Sequence, residues 1–462
     1  MIIVVSKRGT KPRIGRFFTT MLSLLTLTGI TACDLTVMPD PHFVDADLNP
    51  AGLSETMVGA EVGLNYAYDV WVYNVGLFDG ELVSTSEIRW EQSARQTDRN
   101  LSQSSGLTGG GRDRRGPSVG YYAWLQDAIA ASNKTKKDLV AGVWPQVTDA
   151  KNSKQYAELS MFLGWEITWL SDFYCELVLY GKGPVLSSAD GYALALATFN
   201  EAINATGVDA KVKTAAIAGA ARVQRYLGNL SAAAALAAQV PLDFEFLANY
   251  SLNTFVETNH VWFRLWAFGE HSTAPAFRDL KIDATGVADS RMDLTKDAIP
   301  SKGLLTNIYS PTKIPAGSSP LRITSGVEMR YIQAENALAD GSPYTNTVKM
   351  INEARVQRGV ATAWAATGSP FVVGVDKKTA LTHTAANEVR DKLIDEKRRA
   401  LFLEGTQQGD NRLYLRRDNL NLYQTTIPQE QGVGDVTCRL LPQREIDQIE
   451  GLGYTKPYVY GS

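Results

Sequence analysis

Four histidines, His42, His260, His271 and His383, are scattered through 462 residues. No HExxH or CxxC spacing accompanies them, so neither a metal-ligand cluster nor a Ser-His-Asp triad is written into the chain. Asp and Glu total 49. Glycoside hydrolysis needs two carboxylates flanking one bond, and no local signature selects such a pair, although a secreted helical glycoside hydrolase stays open as an alternative. The stretch "GGGRDRRG" has the glycines of a phosphate cradle. It lacks the Lys-Ser/Thr of a P-loop and no clear strand leads into it, so it reads as a solvated loop. A net charge of −3 with a pI of about 5.9 gives no electrostatic footprint for nucleic acid. No cofactor and no metal are implied.

The elements that would position any site are mostly helices. Leu53, Met57, Ala60, Val62 and Leu64 carry helical spacing and run into the aromatic segment Tyr66–Tyr73. Further helices are predicted over about 119–141 and 152–180, with Trp165 and Trp169 one turn apart as core. The helix over 188–207 opens on Ser188 or Asp190 as N-cap and closes at Gly207. The segment 213–241 holds two alanine-rich helices joined at Gly228-Asn229. Their spacing of Ala218, Ala221, Arg222, Tyr226, Ala234 and Ala238 resembles a tetratricopeptide helix pair. One such pair cannot bury its apolar face alone, so at least three are expected. The 156–173 and 192–205 helices suggest a second pair and 327–359 a third, with Val327, Tyr331, Ala334 and Leu338 on one stripe. A last helix, about 386–404, precedes a loop-rich C-terminus. Insertions interrupt this pattern near 91–118, 242–326 and 360–385, the second with short strands or hairpins expected. The fold class is mainly α: a tetratricopeptide-like helical-repeat scaffold with irregular insertions. A pure protein-interaction scaffold is a further alternative, and it leaves the insertions without a purpose.

Residues 1–16 carry Lys7, Arg8, Lys11, Arg13 and Arg16 and no acid; residues 17–30 are largely apolar. That apolar stretch falls short of the roughly 20 residues that span a bilayer, and its flanks describe an export signal. Ile30-Thr31-Ala32-Cys33 resembles the lipobox of bacterial lipoproteins. The resemblance implies that 1–32 is a signal peptide, that Cys33 is lipidated, and that 33–50 is an extended leader to a single domain over 51–462. An ordinary signal peptide with Cys33 incidental is the alternative. Acylation with two or more chains would hold the protein stably to a membrane. Cys175 and Cys438 are then the remaining cysteines. An even pair in an oxidising compartment is expected to form a disulfide, with two buried thiols as the alternative.

The segment 395–417, "DEKRRALFLEGTQQGDNRLYLRR", resembles a signature of the SusD/RagB family of surface nutrient-binding lipoproteins. Glu396, Leu401, Glu404, Gly405, Arg412, Leu415 and Arg417 fit it, whereas Lys397, Ala400, Leu403 and Tyr414 depart from it. "VEMRYIQAENAL" and "INEAR", "LLPQREID", "VMPDP" and "LFDGELV" match further motifs in the family's order. The resemblance implies a non-catalytic lipoprotein on the outer face of the outer membrane. It would cap a SusC-like TonB-dependent transporter and pass it a captured glycan, peptide or other large nutrient. Read as residues, Glu396 and Arg399 share a helix face and can pair, and Gly405 suits a helix C′ position. Glu335 and Arg355 sit on adjacent helices and can bridge them, with a solvated face as the alternative for each. For ligand contact, Trp90 and its neighbour Arg89 lie where the family often carries a ligand loop, and Trp262, Trp266 and Trp364 lie in or beside insertions. An exposed aromatic offers a sugar ring a large apolar face; core packing is the alternative for all four.

Overall fold

The computed structural model describes residues 52–85, 120–179, 183–282, 286–297, 307–361, 363–364, 385–423, 437–439 and 441. Cys33, Arg89, Trp90, the 91–118 insertion and most of 360–385 lie outside them. The described residues all belong to one unit, Asn49–Ser462.

Two helices are apolar nearly all round and form the centre, as such helices must. From Leu64 onward every residue of α1 (Leu53–Asp79) is buried. After α2 (Gly120–Val140), α3 (Lys154–Phe173) is buried along most of its length. Trp71 of α1 stacks on Trp169 of α3 at 5.7 Å, and Trp165 follows at 6.4 Å. α4 (Ser188–Asn204) and α5 (Ala210–Tyr226) pack on α3, and α6 (Leu230–Ala237) packs on α5. Small residues set these contacts. A Cβ on Gly164 or Gly219 would come within 2.6 or 2.3 Å of the Phe199 ring, which lies between α3 and α5. The cap of α4 is Ser187 rather than Ser188: its hydroxyl accepts the Asp190 amide, and the Asp190 carboxylate accepts the Ser187 amide.

The second half of the chain adds α7 (Gly326–Ala339), α8 (Tyr344–Gln357), α9 (Ala385–Ala400) and α10 (Gln407–Asp418). α10 falls in a stretch expected to be loop. It has little apolar periodicity because both its apolar and its polar residues are buried, Gln407, Gln408, Asp410 and Asn411 among them. The strands are short and pair in twos. β1 (Leu82–Ser84) pairs with β5 (His271–Thr273), β2 (Glu176–Leu177) with β3 (Leu186–Ser187), β4 (Glu245–Ala248) with β8 (Leu321–Ser325), and β6 (Leu294–Lys296) with β7 (Tyr309–Pro311), all antiparallel. A disulfide joins Cys175 to Cys438, 263 positions apart. Backbone bonds from Cys175 N to Arg439 O and from Arg439 N to Phe173 O flank it. No described helix is long and apolar enough to cross a membrane.

The signature residues are buried in ion pairs that join these helices. On α5, Arg222 grips Glu328 through two bonds of 2.6 Å, and Arg225 grips Glu335 at 2.5 and 2.7 Å. Arg225 also pairs with Asp410 of α10, whose other oxygen takes Lys397 of α9 at 2.8 Å. The Tyr414 hydroxyl donates to Glu335 at 2.5 Å. Glu335 and Arg355 therefore do not bridge each other: Arg355 of α8 pairs with Glu396 of α9. Glu396 also takes Lys392 and Arg291, so it does not pair with Arg399, which instead reaches Asp395 at 2.9 Å and Asp289 at 3.3 Å. Solvated faces are excluded for Glu335, Arg355, Glu396 and Glu404, all at most 5% exposed. Glu404 takes Arg322 and Arg358. Arg412 donates to the carbonyls of Ser171 and Asp172, at the end of α3, and to Ser188 Oγ at the start of α4. Gly405 is not a C′ residue, since α9 ends at Ala400. It has φ +64° and lies against Trp71, where a Cβ would come within 1.8 Å of the indole.

Removing one side of a buried pair leaves a bare charge and costs roughly 3–5 kcal/mol. Arg225→Met takes the guanidinium from Glu335, which keeps the Tyr414 hydroxyl, and from Asp410, which keeps Lys397, so a urea titration at pH 7 should show a loss of that size; a change below about 1 kcal/mol would contradict the account. Glu166 offers the opposite case. Ser132 donates to one of its oxygens at 3.0 Å, and among the described residues the other oxygen has no partner. Burial pushes its carboxyl up to about 8. The unfolded chain releases this proton at the ordinary carboxylate pH and the folded protein keeps it, so stability falls as pH rises, by about 1.4 kcal/mol per unit. Glu166→Gln should therefore stabilise progressively from pH 5 to pH 8 relative to the wild type. Parallel pH profiles for the two proteins would contradict it.

Candidate functional site

The insertion 242–326 leaves and rejoins the helices at one base, the β4–β8 pair, which has a register shift between Phe246 and Leu247. Its return strand runs directly into α7, capped by Ser325, whose hydroxyl accepts the Glu328 amide. Gly326 is required at this junction: a Cβ would fall 1.9 Å from the Pro241 carbonyl. Arg322 and Arg358 both bind Glu245 and Glu404, fixing the base to α8 and to the turn after α9.

Within the insertion a helical turn, His260–Trp262, continues into a π-helical turn, Phe263–Ala267. Such turns often occur at functional sites. Asn259 caps it, accepting the Trp262 amide at 3.0 Å. Asn259 is itself anchored, its amide donating to Gly317 O and its side chain to Ser319 O. The turn before it, 251–258, is closed by Ser251 N donating to Glu257 O at 2.8 Å and by Ser251 Oγ donating to the Glu257 carboxylate.

These two turns present apolar surface to solvent. Leu252, Phe255, Val256 and Phe268 are exposed, Phe255 by 55%. Their rings form a chain running inward: Phe268 to Phe263 at 4.3 Å, Phe263 to Phe255 at 5.2 Å, Phe255 to His260 at 4.7 Å, and His260 to Tyr66 of α1 at 5.0 Å. Tyr66 meets Trp124 of α2 at 4.5 Å. Beside them Trp262 is half-buried, with its indole N–H donating to Pro315 O at 3.1 Å. Gly317 lets Trp262, Leu252 and Thr258 close in, since a Cβ there would meet all three within 3.1 Å. Trp266 is half-buried against the core.

The described residues of this surface offer ring faces. His260 is buried and held by Asp69, and His271 lies buried in β5. Among the described residues no group of three or more His, Cys, Asp or Glu is set to hold a metal ion. A second, polar hollow of about 520 Å³ lies by Gln146, Asp149, Asn152 and Thr206 and holds no aromatic residue.

Of the tryptophans singled out from the sequence, Trp262 and Trp266 lie at this surface. Trp364 does not. It is buried in a second core cluster with Val327, Tyr331 and Val389, and Asn352 clamps both its backbone groups. Its position next to an insertion was misleading because Ala361 and Ala363 before it are exposed and Trp364 itself is buried. The phenylalanines were missed. The run "VWFRLWAF" showed apolar content, but its π-turn rotates Phe263 and Phe268 to one side in a way that simple helical spacing does not forecast.

No family model and no curated protein matches the sequence. Solved structures do. A SusD-like carbohydrate-binding protein from Bacteroides vulgatus matches with a TM-score of 0.58 and 14% identity, covering 90% of this chain and 100% of that one. Surface glycan-binding protein A from Bacteroides thetaiotaomicron, solved in complex with laminarihexaose, matches with a TM-score of 0.58 and 13% identity over 87% and 98%. A SusD/RagB family protein from the same species gives 0.57 and 11% over 82% and 90%. The chain therefore has the SusD-like fold, a tetratricopeptide-type helical scaffold bearing irregular insertions.

Proposed function

We propose that the protein is a lipid-anchored, surface-exposed nutrient-capture protein of the outer membrane. It binds an oligosaccharide on the aromatic surface of the 242–326 insertion and delivers it to a SusC-like TonB-dependent transporter. The observation that carries this reading is the aromatic series Phe255, Phe263 and Phe268, the first and last of them exposed and the middle one half-buried, carried on a helical scaffold. A pyranose ring has one apolar face that stacks on such surfaces, and rings held by packing lose little entropy when they do so. The likeness to carbohydrate-binding structures, one holding laminarihexaose, supports a glycan as the ligand. The Ile-Thr-Ala-Cys33 sequence supports the anchor.

Affinity electrophoresis and calorimetry against a panel of soluble oligosaccharides, laminarihexaose included, test the ligand class. Phe255→Ala and Phe268→Ala should each weaken binding roughly 2- to 12-fold, the range an aromatic contact contributes, with the unfolding midpoint unchanged. Full affinity in both variants would move the ligand elsewhere, and cleavage of the bound oligosaccharide on long incubation would replace a binder with a hydrolase. Purification of the tagged protein from detergent-solubilised outer membranes should bring down a TonB-dependent barrel in near-equal amount. Recovery of the protein alone would separate it from transport.

A further inference from the structure

Against the exposed Phe255 lies a buried imidazole that the ring surface leaves unused. His260 is 4% exposed, and its imidazole meets Phe255 edge to face at 4.7 Å. Asp69 of α1, itself fully buried, holds it from behind: Asp69 Oδ2 accepts the His260 amide at 2.7 Å and lies 3.2 Å from Nδ1. With the carboxylate as acceptor a proton sits on Nδ1, and in the neutral imidazole Nε2 then presents a lone pair. Nε2 lies on the side of the ring away from Nδ1. It is buried, and among the described residues it has no hydrogen-bond partner. Buried polar atoms are ordinarily satisfied, so an oriented acceptor without a partner points to one that is taken up in another state.

The two walls of this position differ. The imidazole is fixed, because its backbone follows Asn259, which is bonded to Gly317 and Ser319. Phe255 sits on the 251–258 turn, whose shaping bonds are internal: Ser251 to Glu257, Asn253 N to Ser251 Oγ, and Thr258 Oγ1 to Thr254 O. The Phe255 ring against the imidazole can therefore be displaced with its turn while the imidazole stays in place. We propose that His260 is the polar anchor of the ligand surface: when Phe255 moves aside, Nε2 accepts a hydrogen bond from a ligand hydroxyl, and Asp69 is the positioning residue that fixes its tautomer. The inference rests on the oligosaccharide reading above, and it adds a directional polar contact to a surface that otherwise offers faces.

Two measurements test it. The first needs no ligand. Diethylpyrocarbonate acylates accessible imidazoles, and peptide mapping reports each histidine separately. His260 should react slowly in the wild type and at least tenfold faster in Phe255→Ala; equal rates in two folded proteins would overturn the covering role of Phe255. The second measures affinity for laminarihexaose and for each panel oligosaccharide that the wild type binds. His260→Asn keeps a donor for Asp69 and lacks Nε2, and His260→Phe fills the ring space with no acceptor. Both should lose at least tenfold in affinity, and His260→Gln, whose carbonyl can stand near the Nε2 position, should recover part of it. Unchanged affinity in either folded variant would overturn the His260 assignment and leave the oligosaccharide reading intact. A wild type that binds nothing in the panel would overturn both, whatever the acylation rates.

Discussion

A charge cannot be buried by itself, and this chain buries many. Arg222 and Arg225 are each 1% exposed on α5, three residues apart and therefore on one helix face. Each is satisfied by a carboxylate from α7, and Arg225 by one from α10 as well. Glu396 gathers Arg355, Lys392 and Arg291 from three different parts of the chain. Helix packing alone allows neighbours to slide by a ridge. Bidentate guanidinium–carboxylate pairs do not, because their donors are fixed in a plane. A slip of one turn would leave charges unpaired in the core, so the network sets the register of α5, α7, α8, α9 and α10. Replacement of the whole network by apolar residues would not necessarily weaken the fold; its contribution is to make one arrangement of the helices far better than its neighbours.

That register is what the proposed ligand surface stands on. The insertion is joined to the scaffold at β4–β8, and its base is tied by Arg322 and Arg358 to Glu245 and Glu404. Farther out the ties become fewer and more local. Asn259 is anchored to the loop at Gly317 and Ser319, whereas the 251–258 turn is bonded chiefly to itself. Rigidity thus falls from the ion pairs outward to Phe255. A surface that must accept a ligand and then release it is best placed at the loose end of such a gradient, on a support that does not move.

The helices were legible because their small and apolar residues repeat. Ala218, Ala221 and Tyr226 mark the packed side of α5, and Trp165 and Trp169 fall in the core as their one-turn spacing demands. α10 was not legible, because a helix buried on its polar side as well carries no amphipathic stripe. The partners of the signature charges were not legible either. Spacing along one helix suggested Glu396 with Arg399, and adjacency of two helices suggested Glu335 with Arg355. The true partners lie up to 185 positions away, as Asp410 does from Arg225, and tertiary placement decides them. Trp262 and Trp266 were singled out by composition, and the exposed rings beside them are phenylalanines. The π-turn that places Phe268 beside Phe263 leaves no periodic trace.

Buried carboxylates in this fold divide into two sets with opposite responses to pH. Burial alone would raise Glu396, but the charges of Arg291, Lys392 and Arg355 hold it down at about 2, and Arg225 and Lys397 hold Glu335 well below the usual range. Their contribution is complete above the ordinary carboxylate pH and fades as pH falls toward these depressed values. Glu166, Asp172 and Glu81 lack a close guanidinium partner and are pushed up by burial, to about 8, 7 and 7. Their cost is absent below the ordinary carboxylate pH and grows as pH rises toward the raised values. The two sets therefore enclose the most favourable condition from both sides, in mild acid just above the usual carboxylate range. They also lie in different places: the lowered groups hold α7 and α9 to the rest, and the raised groups line α3 and the end of α1. Acid therefore weakens the joints between helices, and base loads the aromatic centre.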